Sequence, residues 1–196
     1  VGRKPQYTPD DILDAALALV SKGGPSAATA TAIGRTLGAP SGSIYHRFSS
    51  RDELMARLWL RSIAGYQAGI LTALALPDPH EALAATIDHA FDWTAAHRNE
   101  ALLLLQYEKA DLVAHWPDTL AAELTALNSR VRMALREYAE RRFGDVTPEA
   151  LDRVMFALID MPYAAVRRHL PDKGEPAPWL RTFIHTSARN LLSPES

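Results

Sequence analysis

Apolar residues recur at helical spacing along almost the whole chain. Ile12, Leu13, Ala16, Leu17, Leu19 and Val20 form a broad stripe behind Thr8, which can cap a helix beginning at Pro9; Asp10 and Asp11 then favour its N-terminal dipole. Lys22-Gly23-Gly24-Pro25 ends it. Thr29 can cap a second, shorter helix, on which Ile33 and Leu37 lie one turn apart, and Gly38 supplies a left-handed stop. After Gly38-Ala39-Pro40-Ser41, the stretch Ser43 to Phe48 has room for barely two turns, with Ile44 and Phe48 at i and i+4 on the buried side. From Arg51 the register runs unbroken into a long helix, 52 to about 76, with Leu54, Leu58, Ile63, Tyr66 and Ile70 at helical spacing.

Further helices are expected at about 79–96, where Asp78 caps and Glu81 completes a capping box, and at about 100–114, 117–143, 148–170 and 178–192. No alternation of strand type extends beyond a few residues. The fold class is therefore all-α. An N-terminal three-helix domain over residues 1–51, containing a helix-turn-helix, is joined by the long helix to a larger C-terminal helical bundle domain over residues 52–196.

The outward side of the third short helix carries the chemistry. With Ile44 and Phe48 turned in, Pro40, Ser41, Gly42, Ser43, Tyr45, His46 and Arg47 remain for solvent or a partner. Small residues at its start let a backbone come close. Hydroxyls, a ring nitrogen and a guanidinium offer donors to phosphates and base edges. Arg51, behind the capping pair Ser49-Ser50, and Thr29 add contacts at the edges of the unit. Arg3 and Lys4, in a basic arm ahead of Thr8, suit either a minor groove or a solvated tail.

Gly38-Ala39-Pro40-Ser41-Gly42-Ser43-Ile44-Tyr45-His46-Arg47-Phe48, followed by Ser50-Arg51-Asp52-Glu53-Leu54, resembles the signature of the TetR family of bacterial transcriptional regulators. That signature is a turn glycine, a small-residue helix start, an aliphatic-Tyr-x-x-Phe run and a Ser-Lys-Glu-Glu-Leu cap. Pro40 stands where Ser is usual and Arg51 where Lys is usual; a guanidinium fork keeps the charge but not the geometry of a point donor. The resemblance covers the first third of the chain. It implies a homodimer reading a palindromic or near-palindromic double-stranded DNA operator, probed by two copies of the helix-turn-helix. It also implies a repressor whose C-terminal domain takes a small-molecule effector.

Charge supports this modestly. Of 21 Lys and Arg against 23 Asp and Glu, residues 1–52 hold six bases (Arg3, Lys4, Lys22, Arg35, Arg47, Arg51) and four acids (Asp10, Asp11, Asp14, Asp52), so a slightly positive N-terminal lobe precedes an acidic body. The absence of cysteine excludes disulfides, thiolate metal sites and cysteine nucleophiles. No apolar run approaches bilayer length and the start lacks a signal-peptide core; no membrane association and a cytoplasmic location are expected.

In the C-terminal body, the run Val154 to Val166 is apolar nearly all round, which calls for cover from its own domain and from a second subunit; Phe156, Tyr163, Val166, Trp179 and Phe183 are the expected dimer contacts. Trp59, Tyr66, Phe91, Trp93, Tyr107, Trp116 and Phe156 are candidates to line an effector site, or to pack the core. Asp160, a carboxylate inside that run, should face either a polar pocket or the partner. Glu108, Asp111 and His115, and the pair His89 and Asp92, have ligand-type spacing, but neither a metal nor a cofactor is expected. With no phosphate loop, nucleophile elbow or HExxH, the chain is not expected to be an enzyme. Two other readings stay open: a helical interaction module that uses the helix-turn-helix only for packing, and a metal-dependent helical enzyme.

Overall fold

The computed structural model describes residues 7–106, 116–171 and 176–193, and among them every regular element is helical. In chain order these are α1 (Pro9–Gly23), a 3-10 turn (Pro25–Ala27), α2 (Ala30–Leu37), α3 (Ser41–Tyr45), α4 (Arg51–Leu74), α5 (Pro79–Ala96), α6 (Arg98–Gln106) and α7 (Asp118–Phe143). Then come α8 (Pro148–Met155), a π turn (Phe156–Asp160), α9 (Met161–His169) and α10 (Pro178–Leu191). None of the helices is long and apolar enough to cross a membrane, among the described residues.

The helix ends follow from local chemistry. Thr8 accepts from the Asp11 amide while the Asp11 carboxylate accepts from Thr8, a reciprocal box ahead of Pro9. Asp78 caps α5 through the His80 amide, 2.7 Å away, so the expected box with Glu81 is not the device used. Ser50 Oγ accepts from the Glu53 amide to start α4 at Arg51. The helix expected over 148–170 is interrupted. Pro162 has no N–H to give the Leu158 carbonyl, and one residue earlier the Met161 amide reaches back to Phe156, an i→i+5 bond that opens the π turn.

By compactness the chain divides into two units: Val1–Ser62 with Asn99–Ala122, and Ile63–Arg98 with Glu123–Ser196. In the first, Ile12, Leu13, Ala16, Leu17 and Val20 of α1 are buried, as are Ile33, Ile44, Phe48, Leu54 and Leu58. Arg61 of α4 reaches back to Asp14 (2.7 Å) and Asp10 (3.4 Å) of α1. Trp59 and Trp116 meet edge to face at 5.7 Å. In the second unit, Ile70, Leu74, Leu83, Ile87, Phe91, Leu135, Tyr138, Val154, Leu158, Ile184 and Leu192 form one core. Arg141 closes the C-terminal carbonyls of α4 by donating to Leu74, and Arg98 does the same beyond α9 by donating to Leu170.

One sequence expectation changes with the structure. Val166 is buried within its own unit, not turned to a partner, because it lies on the side of α9 that also buries Pro162 and Ala165. Asp160, in the π turn, is exposed on the outer side of the helix.

Candidate nucleic-acid interface

The helix-turn-helix is built by local devices between Thr29 and Ala39. Thr29 Oγ1 accepts from the Ala32 amide at 3.1 Å and starts α2. Gly38 ends it in the left-handed region (φ +66°), and the next amide, Ala39, bonds to Gly34 at 2.8 Å. Gly34 is the residue that lets the turn close so tightly. A Cβ there would lie 2.6 Å from the Ala39 carbonyl oxygen. The pattern of apolar residues gave no hint of this, because Gly34 is buried without contributing to any stripe.

Pro40 then fixes an extended backbone and α3 begins at Ser41. Ser43 turns its hydroxyl onto the Pro40 carbonyl at 2.6 Å, so it stiffens the start of α3 and stays half-buried. The helix proper stops at Tyr45. Arg47 and Phe48 follow in a turn, both amides directed at the Ile44 carbonyl, which still buries Ile44 and Phe48. What remains outward is Pro40, Ser41, Gly42, Tyr45, His46 and Arg47, all exposed, with Tyr45 58% accessible. A Cβ at Gly42 would meet nothing within 4 Å, so a notch is open at the helix start. Exposed Arg35 on α2 is a further cation of this domain that the reading of the third helix passed over.

Arg51 is placed differently from the expectation. Its Nε donates to the Ala28 carbonyl at 3.3 Å and its Nη2 to the Pro25 carbonyl, so the guanidinium ties the 3-10 turn to the start of α4. Two of its five donors are thereby engaged inside the domain. Behind it, Ser49 holds Glu53 through both amide (2.7 Å) and hydroxyl (2.6 Å). These bonds, the side-chain one first, keep the Glu53 carboxyl below its ordinary range. Arg3 and Lys4 lie outside the described residues.

The expected effector-lining residues fall in both units. Trp59 and Trp116 belong to the first unit, and the buried Trp59 Nε1 has no hydrogen-bond partner. Tyr66, Phe91 and Trp93 belong to the second, where Tyr66 meets Trp93 edge to face at 5.2 Å and stacks with His89 at 5.4 Å, while Trp93 stacks on His97 at 5.0 Å. Burial pushes the Tyr66 hydroxyl up to about 12. Gln67 donates to Asn128 at 3.0 Å and leaves its own buried Oε1 without a partner. Phe91 packs in the core beneath Arg181. Phe156, like Asp160, lies on the outer face. Tyr107, Glu108, Asp111 and His115 fall outside the described residues. His89 is engaged by the Tyr66 carbonyl and Asp92 by Arg181, and among the described residues no group of three ligand-type side chains is assembled.

A helix-turn-helix whose second helix keeps a polar, open face has the geometry that DNA-reading domains use. Residues 12–58 match the model of the bacterial regulatory proteins of the tetR family. That stretch is thus similar to the DNA-binding domain of the family that the residues between Gly38 and Leu54 resemble. No curated protein matches the chain. Solved structures share its fold over nearly the full length. The TetR-family regulator PfmR from Thermus thermophilus is 19% identical, over 92% of this chain and 96% of that one, with a TM-score of 0.68. A TetR-family regulator from Marinobacter aquaeolei is 13% identical, over 93% and 94%, with a TM-score of 0.71. The regulator FadR from Bacillus subtilis, solved in complex with stearoyl-CoA, is 15% identical, over 96% and 100%, with a TM-score of 0.67.

Proposed function

We propose that the protein is a homodimeric transcriptional repressor whose affinity for a near-palindromic operator is set by a small-molecule effector held in its C-terminal helices. The observation that carries the DNA-reading part is the exposed row Ser41, Gly42, Tyr45, His46 and Arg47 on a third helix whose apolar residues are all turned inward. Pro40 and Thr29 border that row, and Arg51 holds its base. Dimerisation is supported by Phe156, Tyr163, Trp179 and Phe183, which leave 53%, 48%, 65% and 56% of their surface in water in a single chain. Two copies would present two recognition helices to two half-sites.

Coupling is carried by α4. It runs without interruption from Arg51, at the base of the helix-turn-helix, to Leu74 in the second core, so a displacement of its far end reaches the DNA-binding helices through rigid backbone. The row of Tyr66, His89, Trp93 and His97 along α4 and α5 is the aromatic surface an effector would disturb. The stearoyl-CoA bound to the B. subtilis fold relative makes a long-chain acyl thioester the first effector to assay.

Duplexes selected from a random pool by the full chain should share an inverted repeat and bind with steep salt dependence. Selection without symmetry, or affinity indifferent to salt, would remove the reading. Titrating the selected duplex with and without stearoyl-CoA tests the switch. Equal affinities with every acyl thioester tried would remove that effector class.

A further inference from the structure

Two arginines of α4 fasten the short N-terminal helices to it, one at each end of the stretch of α4 that belongs to the first unit. Arg51, the first residue of α4, holds the Pro25 and Ala28 carbonyls. Arg61, about 15 Å further along the helix axis at 1.5 Å per residue, donates from Nη2 to Asp14 at 2.7 Å and from Nη1 to Asp10 at 3.4 Å, both on α1. Leu54, Leu58 and Arg61 follow at i, i+4 and i+7, so Arg61 stands at the end of a stripe whose two leucines are buried, and it meets acids where an apolar stripe would continue. Of the three acids on α1, Asp11 is engaged by the Thr8 cap. Asp10 and Asp14, one turn apart, are left to the guanidinium.

As a source of stability this bridge is weak, because the Asp10 and Asp14 side chains are 77% and 69% exposed and that of Arg61 33%. What it supplies is direction. Burial of apolar surface is non-directional, so the leucine stripe by itself leaves the roll of the short helices about α4 soft. Two directional ties well separated along one rigid helix fix that roll, and with it the angle at which α3 leaves α4. The angle matters for a two-fold reader: one base pair more or less between half-sites moves a half-site by about 3.4 Å and turns it by about 35° about the duplex axis. We infer that Arg61, through Asp10 and Asp14, is a positioning residue for DNA reading, which holds α3 at one angle to α4 and thereby makes the protein selective for one half-site spacing. The inference rests on the dimeric DNA-reading function proposed above and names what sets its geometry.

The test is a titration of the full chain against its selected duplex and against the same half-sites with the spacer lengthened or shortened by one base pair, with thermal melting to verify folding. The wild type should lose about tenfold or more in affinity on either altered spacer. Arg61→Met keeps the apolar stem and drops the charge; Asp10→Asn/Asp14→Asn breaks the same bridge from α1. Both should melt close to wild type and lose only about threefold or less on the altered spacers. Because one variant removes a base and the other two acids, a mere change of charge near DNA would move their overall affinities in opposite directions, whereas a positioning role relaxes spacer discrimination in both. Arg61→Asp/Asp14→Arg, which rebuilds the pair with its signs exchanged, should restore discrimination. Undiminished discrimination in both broken-bridge variants would overturn the inference, and so would an exchanged pair that melts like wild type but still accepts every spacer. A wild-type chain that selects no inverted repeat would instead remove the dimeric reading, and this inference with it.

Discussion

A methyl group on Gly69 would lie 2.0 Å from Cε1 of His89, so the imidazole of α5 occupies the space that any larger residue of α4 would need. From that notch, 2.8 Å separates His89 Nε2 from the Tyr66 carbonyl, one turn earlier on the same helix, toward which the ring N–H donates. The ring also stacks on Tyr66 itself. A glycine, a histidine and a tyrosine thus key two helices of the second unit together.

Gly69→Ala is expected to destabilise the protein by about 1–3 kcal/mol, the usual range for overpacking, although alanine is the better helix former. His89→Ala in the same chain should recover part of the loss by clearing the notch. A double-mutant cycle read by thermal melting checks this. Losses that simply add would mean that ring and methyl do not compete.

Gly34 and Gly65 provide a matched contrast in the helix-turn-helix and in α4. A Cβ at Gly34 meets the Ala39 carbonyl at 2.6 Å, and that oxygen belongs to backbone held by the Ala39–Gly34 hydrogen bond. A Cβ at exposed Gly65 meets nothing within 4 Å. Gly65→Ala should therefore raise stability by up to about 1 kcal/mol, the propensity gain, while Gly34→Ala should lower it and weaken DNA binding by displacing α3. Melting and duplex titration of the two variants separate the cases. A stabilised Gly34→Ala chain would contradict the close approach.

Tyr45→Ala should reduce operator affinity by about tenfold without changing the melting temperature, because the side chain is mostly in water and Ile44, not Tyr45, anchors the helix in the core. Arg51→Ala should act on both readouts. Its donors hold the Ala28 and Pro25 carbonyls, so the variant loses stability as well as charge. An Arg51 variant that melts like wild type would restore the simple phosphate role.

The contrast between these two residues shows how far the sequence carries. Caps and stops are local, so Thr8, Thr29, Gly38 and Ser50 disclosed the helix ends, and the period of Ile44 and Phe48 disclosed which side of α3 is dry. What a side chain touches across helices is not local. Arg51 has the type and place of a phosphate ligand, yet its neighbours in space are Pro25 and Ala28. Trp59 and Tyr66 sit on one helix and were grouped by aromatic character, but α4 passes from one compact unit into the other between them. The π turn was hidden too. Pro162 lies inside the helix expected to run unbroken over 148–170, and only the backbone shows that a turn widens just ahead of it without ending the helix.

Asp88 joins α5 to α10 by accepting from His185 at 2.8 Å and from Arg181, which also holds Asp92. Burial by itself would raise the Asp88 carboxyl. The hydrogen bonds from His185 and Arg181, with their charges, outweigh it and leave the group below its ordinary 3.8. A depressed carboxyl contributes stability that is present above its unfolded value and lost as pH falls through the folded one. Asp88→Asn should therefore cost no more than about 1 kcal/mol at neutral pH, since the side chain is 41% exposed and screened by solvent. The gap between the two melting curves should close as pH drops below 3.8. A gap that persisted in acid would assign the effect to packing, not charge.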